Sequence, residues 1–125
     1  MTRALLGLAT LSFLATAVPL TRPERAWQAP ASADARVNPL AGRTDTAAGG
    51  GKIFRQRCAV CHGDDASGSR RGPNLTTGPV QRQTDGALFW KITSGNTRTG
   101  MPTFSYLPDL QRWQLVNHLR SLAAR

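Results

Sequence analysis

From Gly49 to Arg125 only 77 residues have the texture of a folded domain, and that shortage limits what the chain can become. A domain this small buries too little apolar surface to stand on side-chain packing alone. A set of disulfides, a metal or a bound cofactor usually completes its core. The sequence therefore predicts that something besides its own side chains fills the interior.

The residues before Gly49 are not expected to add to that core. Residues 21–48 are rich in Ala, Pro, Arg and Thr, with Pro23, Pro30 and Pro39 scattered through them, and no apolar period survives. Residues 34–48 are thus expected to be a flexible linker. Earlier still, Arg3 precedes seventeen uncharged residues, Ala4 to Leu20. A basic start, an apolar core and then small residues are the order of a secretory signal. Candidate cleavage ends are Ala15-Thr16-Ala17 and Ala31-Ser32-Ala33. Residues 1–33 are accordingly expected to be a secretory signal peptide or, if uncleaved, an N-terminal membrane anchor. As a span it sits at the short end of the roughly 17–25 residues required, and Thr10, Ser12, Thr16 and Pro19 weaken it. Either way the domain 49–125 lies outside the cytoplasm, in the periplasm or its equivalent.

Charge narrows the partners. The chain carries 16 Lys+Arg against 7 Asp+Glu, a formal net charge of +9, and only Lys52 and Lys91 are lysines. Cutting after Ala33 removes three arginines and one glutamate, leaving 13 basic and 6 acidic residues, a formal +7. The basic balance thus belongs to the domain. Export argues against DNA or RNA as a partner, and no basic run carries interleaved aromatics. The length also excludes a two-domain nucleotide-dependent dehydrogenase or a large barrel.

Three helices are expected. The first runs from near Ala47 or Gly51 to about Cys58, with Ile53 and Phe54 on its apolar side. The second opens at Thr84, a suitable N-cap, carries Ala87, Leu88, Trp90 and Ile92, and closes before Gly95. The third runs from about Pro108 to Ala123. Its apolar face holds Leu115, Val116, Leu119, Leu122 and Ala123, with Trp113 at the edge. Nothing alternates like a strand, so the fold class is all-α, small and loop-rich.

Cys58-Ala59-Val60-Cys61-His62 is a C-x-x-C-H, the attachment sequence for c-type haem. Two thiols at this spacing can add across the two vinyl groups of one porphyrin. The next residue then presents its imidazole to the iron. The same cysteines could instead close a small disulfide or form a thioredoxin-like redox pair, although that site needs a strand-to-helix junction in an α/β fold. They could also bind zinc, but a closed zinc site needs four ligands and only His118 remains to add. Met101 is the only methionine left once Met1 departs with the signal, and it lies 39 residues beyond His62. That is enough chain to round a haem edge and offer a soft thioether to the iron. The alternative is a methionine that fills a gap in the core.

From Gly49 to the C-terminus the sequence resembles the class I c-type cytochromes. Gly51-Lys52-Ile53-Phe54 with Cys58 to Gly63 is similar to that family's first helix and attachment site. Gly72-Pro73-Asn74-Leu75 resembles its haem-proximal loop, Gly100-Met101-Pro102 its distal-ligand loop, and Trp113 to Leu122 its last helix. The resemblance implies about three main helices wrapped around one covalent haem c. It also implies that Pro73 supplies a carbonyl to His62, because an iron-bound imidazole needs its other nitrogen held. Asn74, Leu75, Trp90, Ile92 and Phe104 are candidates for haem packing or loop contacts, with ordinary core packing the alternative for each. Gly51 and Phe54 should meet the last helix near Trp113 to Val116, with a glycine letting the backbones approach. Two departures stand out. His118 occupies a position that is usually aromatic in that family, with a packing or surface role expected here. Pro108 stands where Ser or Thr normally caps, a task Asp109 could assume.

His62 and Met101 together leave the iron no open position. The expected function is therefore a one-electron carrier, not an enzyme, working between a dehydrogenase or quinol-oxidising complex and a terminal oxidase or another cytochrome. A different class of function, a five-coordinate haem protein that binds a gas or peroxide, requires Met101 to be off the iron. Arg55, Arg57, Arg70, Arg71 and Arg82 surround the attachment region, and a basic rim of this kind would steer toward a redox protein with an acidic docking surface. A membrane is a partner only if the N-terminal segment stays uncleaved.

Overall fold

A computed structural model describes residues 27–123 of the chain. The apolar run 4–20, expected to be the centre of an export signal, lies outside those residues. Six helices follow in order: α1 (Ala31–Asp34), α2 (Ala47–Arg57), α3 (Ala59–His62), α4 (Gly78–Gln81), α5 (Asp85–Ser94) and α6 (Asp109–Ser121). Among the described residues there is no strand ladder, only an isolated bridge between Asn96 and Met101. The fold is all-α, as expected. α2, α5 and α6 are its three main helices, and α1, α3 and α4 are single turns between loops. Among the described residues, no helix is long and apolar enough to cross a membrane.

Local chemistry sets the ends of α5. Thr84 is extended and its hydroxyl accepts the Ala87 N–H at 3.1 Å, while Asp85 sits in the positive first turn. Gly95 closes the helix at φ +62°, and its N–H donates to the Lys91 carbonyl at 2.9 Å. α6 starts differently from the expectation. Pro108 is its cap and offers no side-chain hydrogen bond. Asp109 lies inside the first turn and does not cap, because its carboxylate accepts from Arg36 at 2.9 Å and from Arg112 at 2.5 Å.

The core lies where α2, α5 and α6 meet. Phe54, Leu115 and Val116 are fully buried there, and Phe89 stacks on Trp113 at 4.1 Å between ring centres. Trp113 is therefore central to the buried face of α6 and not at its edge. Leu122 and Ala123 fall beyond the last helical residue, Ser121, and Ala123 is exposed.

α2 crosses α6 with the backbones nearly touching. The residue that permits this is Gly50, one position before the glycine expected. A Cβ on Gly50 would overlap the Gln114 carbonyl oxygen and lie 2.5 Å from its carbon and 2.9 Å from the His118 Cβ. Gly51 faces the His118 ring, and Phe54 lies 5.2 Å from it centre to centre. Gly50→Ala is expected to destabilise the protein by about 2–3 kcal/mol through overpacking, despite a helix-propensity gain of about 1 kcal/mol. For a domain this small the melting temperature should fall by roughly 10 °C or more. At Gly49 the neighbour is only the Gln114 amide end, 3.2 Å away, which can swing aside. Gly49→Ala should be neutral or slightly stabilising, and equal melting temperatures for the two variants would contradict this crossing.

His118 packs in that crossing, the structural role expected of it, and is half-buried. Burial and the nearby Arg55 guanidinium hold its pKa below the usual 6.5. At pH just under 6.5 the unfolded chain therefore binds a proton that the folded chain resists. Stability should fall as pH drops from that value and level off below the lowered folded pKa. Thermal unfolding from about pH 5 to 8 would show the slope, and it should flatten in His118→Gln.

Residues 34–48 do not form the flexible linker expected. Leu40 is in the core, and Asn38, only 5% exposed, donates to Asp85 at 2.7 Å and to Asn117 at 2.8 Å while accepting the Leu40 N–H at 2.8 Å. Asn117 in turn donates to the Leu40 carbonyl at 2.8 Å. The segment docks through a buried amide network and not along an apolar face, so a search for periodicity passes over it.

Candidate haem site

α2 ends at Cys58, whose N–H donates to the Phe54 carbonyl at 2.8 Å. The Cys58 carbonyl then accepts from the N–H groups of Cys61 and His62, both at 3.0 Å, which winds the next turn, α3. One turn thus carries the second thiol and the imidazole as a unit. Gly63, at φ +81°, stops it. Burial, with neighbouring Cys61 adding to it, pushes the Cys58 thiol up to about 11. The two thiols are unbridged.

The His62 ring is held from below by the next loop. Its Nδ1 lies 2.9 Å from the Pro73 carbonyl. A carbonyl can only accept, so Nδ1 carries a proton, and in the neutral ring Nε2 keeps the lone pair that a metal requires. Gly72 makes this approach possible, because a Cβ there would sit 2.9 Å from the His62 Nδ1 and 3.0 Å from the Cys61 carbonyl oxygen. The loop is itself pinned by Gly68 N–H to the His62 carbonyl at 2.8 Å and Leu75 N–H to the Ala66 carbonyl at 2.9 Å.

Met101 comes from the segment after α5. Its N–H donates to the Asn96 carbonyl at 3.0 Å, and the Asn96 N–H returns to the Met101 carbonyl at 2.9 Å. Gly95 lets the chain fold back on itself, since a Cβ there would lie 2.6 Å from the Pro102 carbonyl carbon.

Cys58, Cys61, His62, Pro73 and Met101 all line one cavity of about 420 Å³, with Phe54, Leu88, Ile92, Phe104, Leu115 and Leu119 among its apolar walls. That volume lies within the roughly 300–1,000 Å³ of cofactor pockets. Of the packing candidates, Leu75, Ile92 and Phe104 line the cavity. Asn74 takes the loop-contact alternative, and Trp90 lies outside the lining. Asn74 is exposed and accepts from the Thr76 N–H at 2.7 Å, closing a turn. Trp90 lies on the other face of α5, beside Pro30 and Arg36, because Leu88, Lys91 and Ile92 take the cavity side. Trp27 and Lys91 were not expected in the lining. Trp27 falls in the stretch assigned to the signal, and a single lysine carries no pattern. Among the described residues no three His, Cys, Asp or Glu side chains cluster as a metal site.

Residues 45–119 match the family described as cytochrome c oxidase, cbb3-type, subunit III. The chain belongs to this family of c-type cytochromes. It is also 38% identical over 73 residues to a cytochrome c-553-like protein of Synechocystis sp. (strain ATCC 27184 / PCC 6803 / Kazusa), an alignment covering 58% of this chain and 66% of the relative. Two solved structures share its fold. Cytochrome cL from the methylotroph Methylophaga aminisulfidivorans MPT superposes with TM-score 0.58 at 24% identity, over 66% of this chain and 59% of that one. The KustC0563 c-type cytochrome does so with TM-score 0.53 at 24% identity, over 59% of this chain and 96% of that one. The cytochrome thus spans 66% of its curated relative's length and 59% of cytochrome cL. Its cofactor is covalently attached haem c. The cavity fits that cofactor in three respects: paired thiols, an imidazole with a free Nε2, and apolar walls.

Proposed function

We propose that Cys58 and Cys61 hold the haem by thioether bonds, and that His62 and Met101 are its axial ligands. When bound, haem c supplies one-electron cycling between ferric and ferrous iron. The chain's own residues do the rest. Pro73 fixes the His62 tautomer and ring direction, the Asn96–Met101 bridge presents the thioether, and the aromatic and aliphatic walls exclude water. The observation that carries this reading is the convergence of all five residues, from three separate segments, on one cavity. Expression with the haem-attachment machinery, followed by absorption spectra of both oxidation states, tests it. A low-spin spectrum in both states supports two axial ligands, and a high-spin ferrous spectrum overturns them.

The cytochrome works outside the cytoplasm as a single-haem carrier, after export by residues N-terminal to Trp27. Its electrons come from a dehydrogenase or quinol-oxidising complex and leave to a terminal oxidase or another cytochrome. The family's description, which names an oxidase subunit, supports the oxidase side. Docking uses the basic rim. Arg55, Arg57, Arg70, Arg71 and Arg82 are all exposed, and Arg57 and Arg71 edge the cavity beside Val60, which is 67% exposed. An acidic patch on the partner would be drawn to that edge. The bimolecular rate of electron exchange should therefore fall on the order of tenfold from low to high salt. A flat salt dependence in stopped-flow measurements would contradict steering.

A further inference from the structure

We infer that residues Trp27 to Arg43, which precede the family-matched region 45–119, are a permanent strap of the mature cytochrome that seats Trp27 against the haem. The inference rests on the haem assignment above and adds a wall that the family match does not contain. Trp27 lines the cavity. Its indole N–H donates at 2.9 Å to the carbonyl of Gly95, the residue folded against Met101 and Pro102. Lys91, also in the lining, places its ammonium 4.6 Å from the centre of the Trp27 ring. The ring is thereby tied to the segment that carries Met101.

The strap is anchored along its whole length. Thr84, the cap of α5, donates to the Asp34 carboxylate at 2.7 Å. Gly86 has no room for a side chain, since a Cβ would overlap the Ala33 carbonyl oxygen and lie 2.7 Å from that of Arg36. The Arg36 guanidinium stacks 4.3 Å from the Phe89 ring centre and pairs with Asp109 at 2.9 Å. The buried Asn38 network then closes it. A signal cut after Ala33 would remove Trp27 and sever α1, so the strap requires residues 27–33 to stay in the mature chain. The cleavage end compatible with the structure is Ala15-Thr16-Ala17 or another position upstream of Trp27.

Covering the cavity with an indole lowers the dielectric near the iron. The ferric form carries the extra positive charge and loses most from that exclusion, so the wall favours the ferrous form. The test uses the exported, haem-loaded protein. Its intact mass should place the first residue between 18 and 27. Trp27→Ala should lower the reduction potential, by up to roughly tenfold in the ferric–ferrous equilibrium. Gln28→Ala, on the exposed side of the strap, should leave it unmoved. A mature chain beginning at Asp34 or later overturns the inference, and so does a Trp27→Ala potential equal to that of the unsubstituted protein. If Trp27→Ala does not accumulate, Trp27→Thr carries the same comparison and no shift in it is equally decisive. Absence of haem from the unsubstituted protein would instead sink the haem assignment.

Discussion

Replacing Cys58 and Cys61 together by alanine should leave no haem on the chain after denaturation. Each thiol is placed by a different element, Cys58 by the end of α2 and Cys61 by the single turn α3, so neither depends on the other for position. A single replacement should therefore retain one thioether bond, and the double replacement none. The intact mass under denaturing conditions separates the cases, because only a covalent link survives unfolding. The double variant should also accumulate poorly. Its small core surrounds an apolar cavity of about 420 Å³, and without a tethered occupant those walls meet water or collapse. Haem retained on the double variant after denaturation would contradict the assignment outright.

Met101→Ala should keep the covalent haem and lose the carrier's electronic character. A thioether is a soft neutral ligand that favours the ferrous state. Removing it should lower the reduction potential by on the order of 0.1 V or more, within the roughly 0.8 V that axial ligands span. The weak red-edge absorption of methionine-ligated ferric haem should vanish as well. Loss of the fold is not the expected cause. The loop is held by backbone hydrogen bonds between Asn96 and residue 101, which truncation leaves in place. His118 cannot take over, since it packs against Gly50, Gly51 and Phe54 in the α2–α6 crossing. An unchanged potential in this variant would show that Met101 only fills space.

Much of this was legible from the chain alone, and for identifiable reasons. The cysteine pair and His62 are contiguous, so their grouping needs no tertiary structure. The Thr84 cap and the Gly95 stop are local chemistry and stand where expected. What sequence could not resolve depends on long-range docking. Gly50 and Gly51 look alike in a string, and only the approach of the Gln114 carbonyl distinguishes them. Asp109 reads as a capping residue in the sequence because its partner Arg36 lies 73 positions away. The strap was missed for the same reason. Its attachments are an indole N–H, a threonine hydroxyl and a buried asparagine, none of which leaves a period. Trp90 lies on the face of α5 opposite the cavity, which its neighbours Leu88 and Ile92 line.

An iron closed on both sides, by His62 and Met101 as proposed, would exchange electrons and bind nothing. Adding carbon monoxide to the reduced, haem-loaded protein tests that most directly. The spectrum should stay unchanged over minutes for the unsubstituted chain and shift at once for Met101→Ala. An immediate shift in the unsubstituted protein would contradict the closed site and favour a five-coordinate haem that binds gases or peroxide.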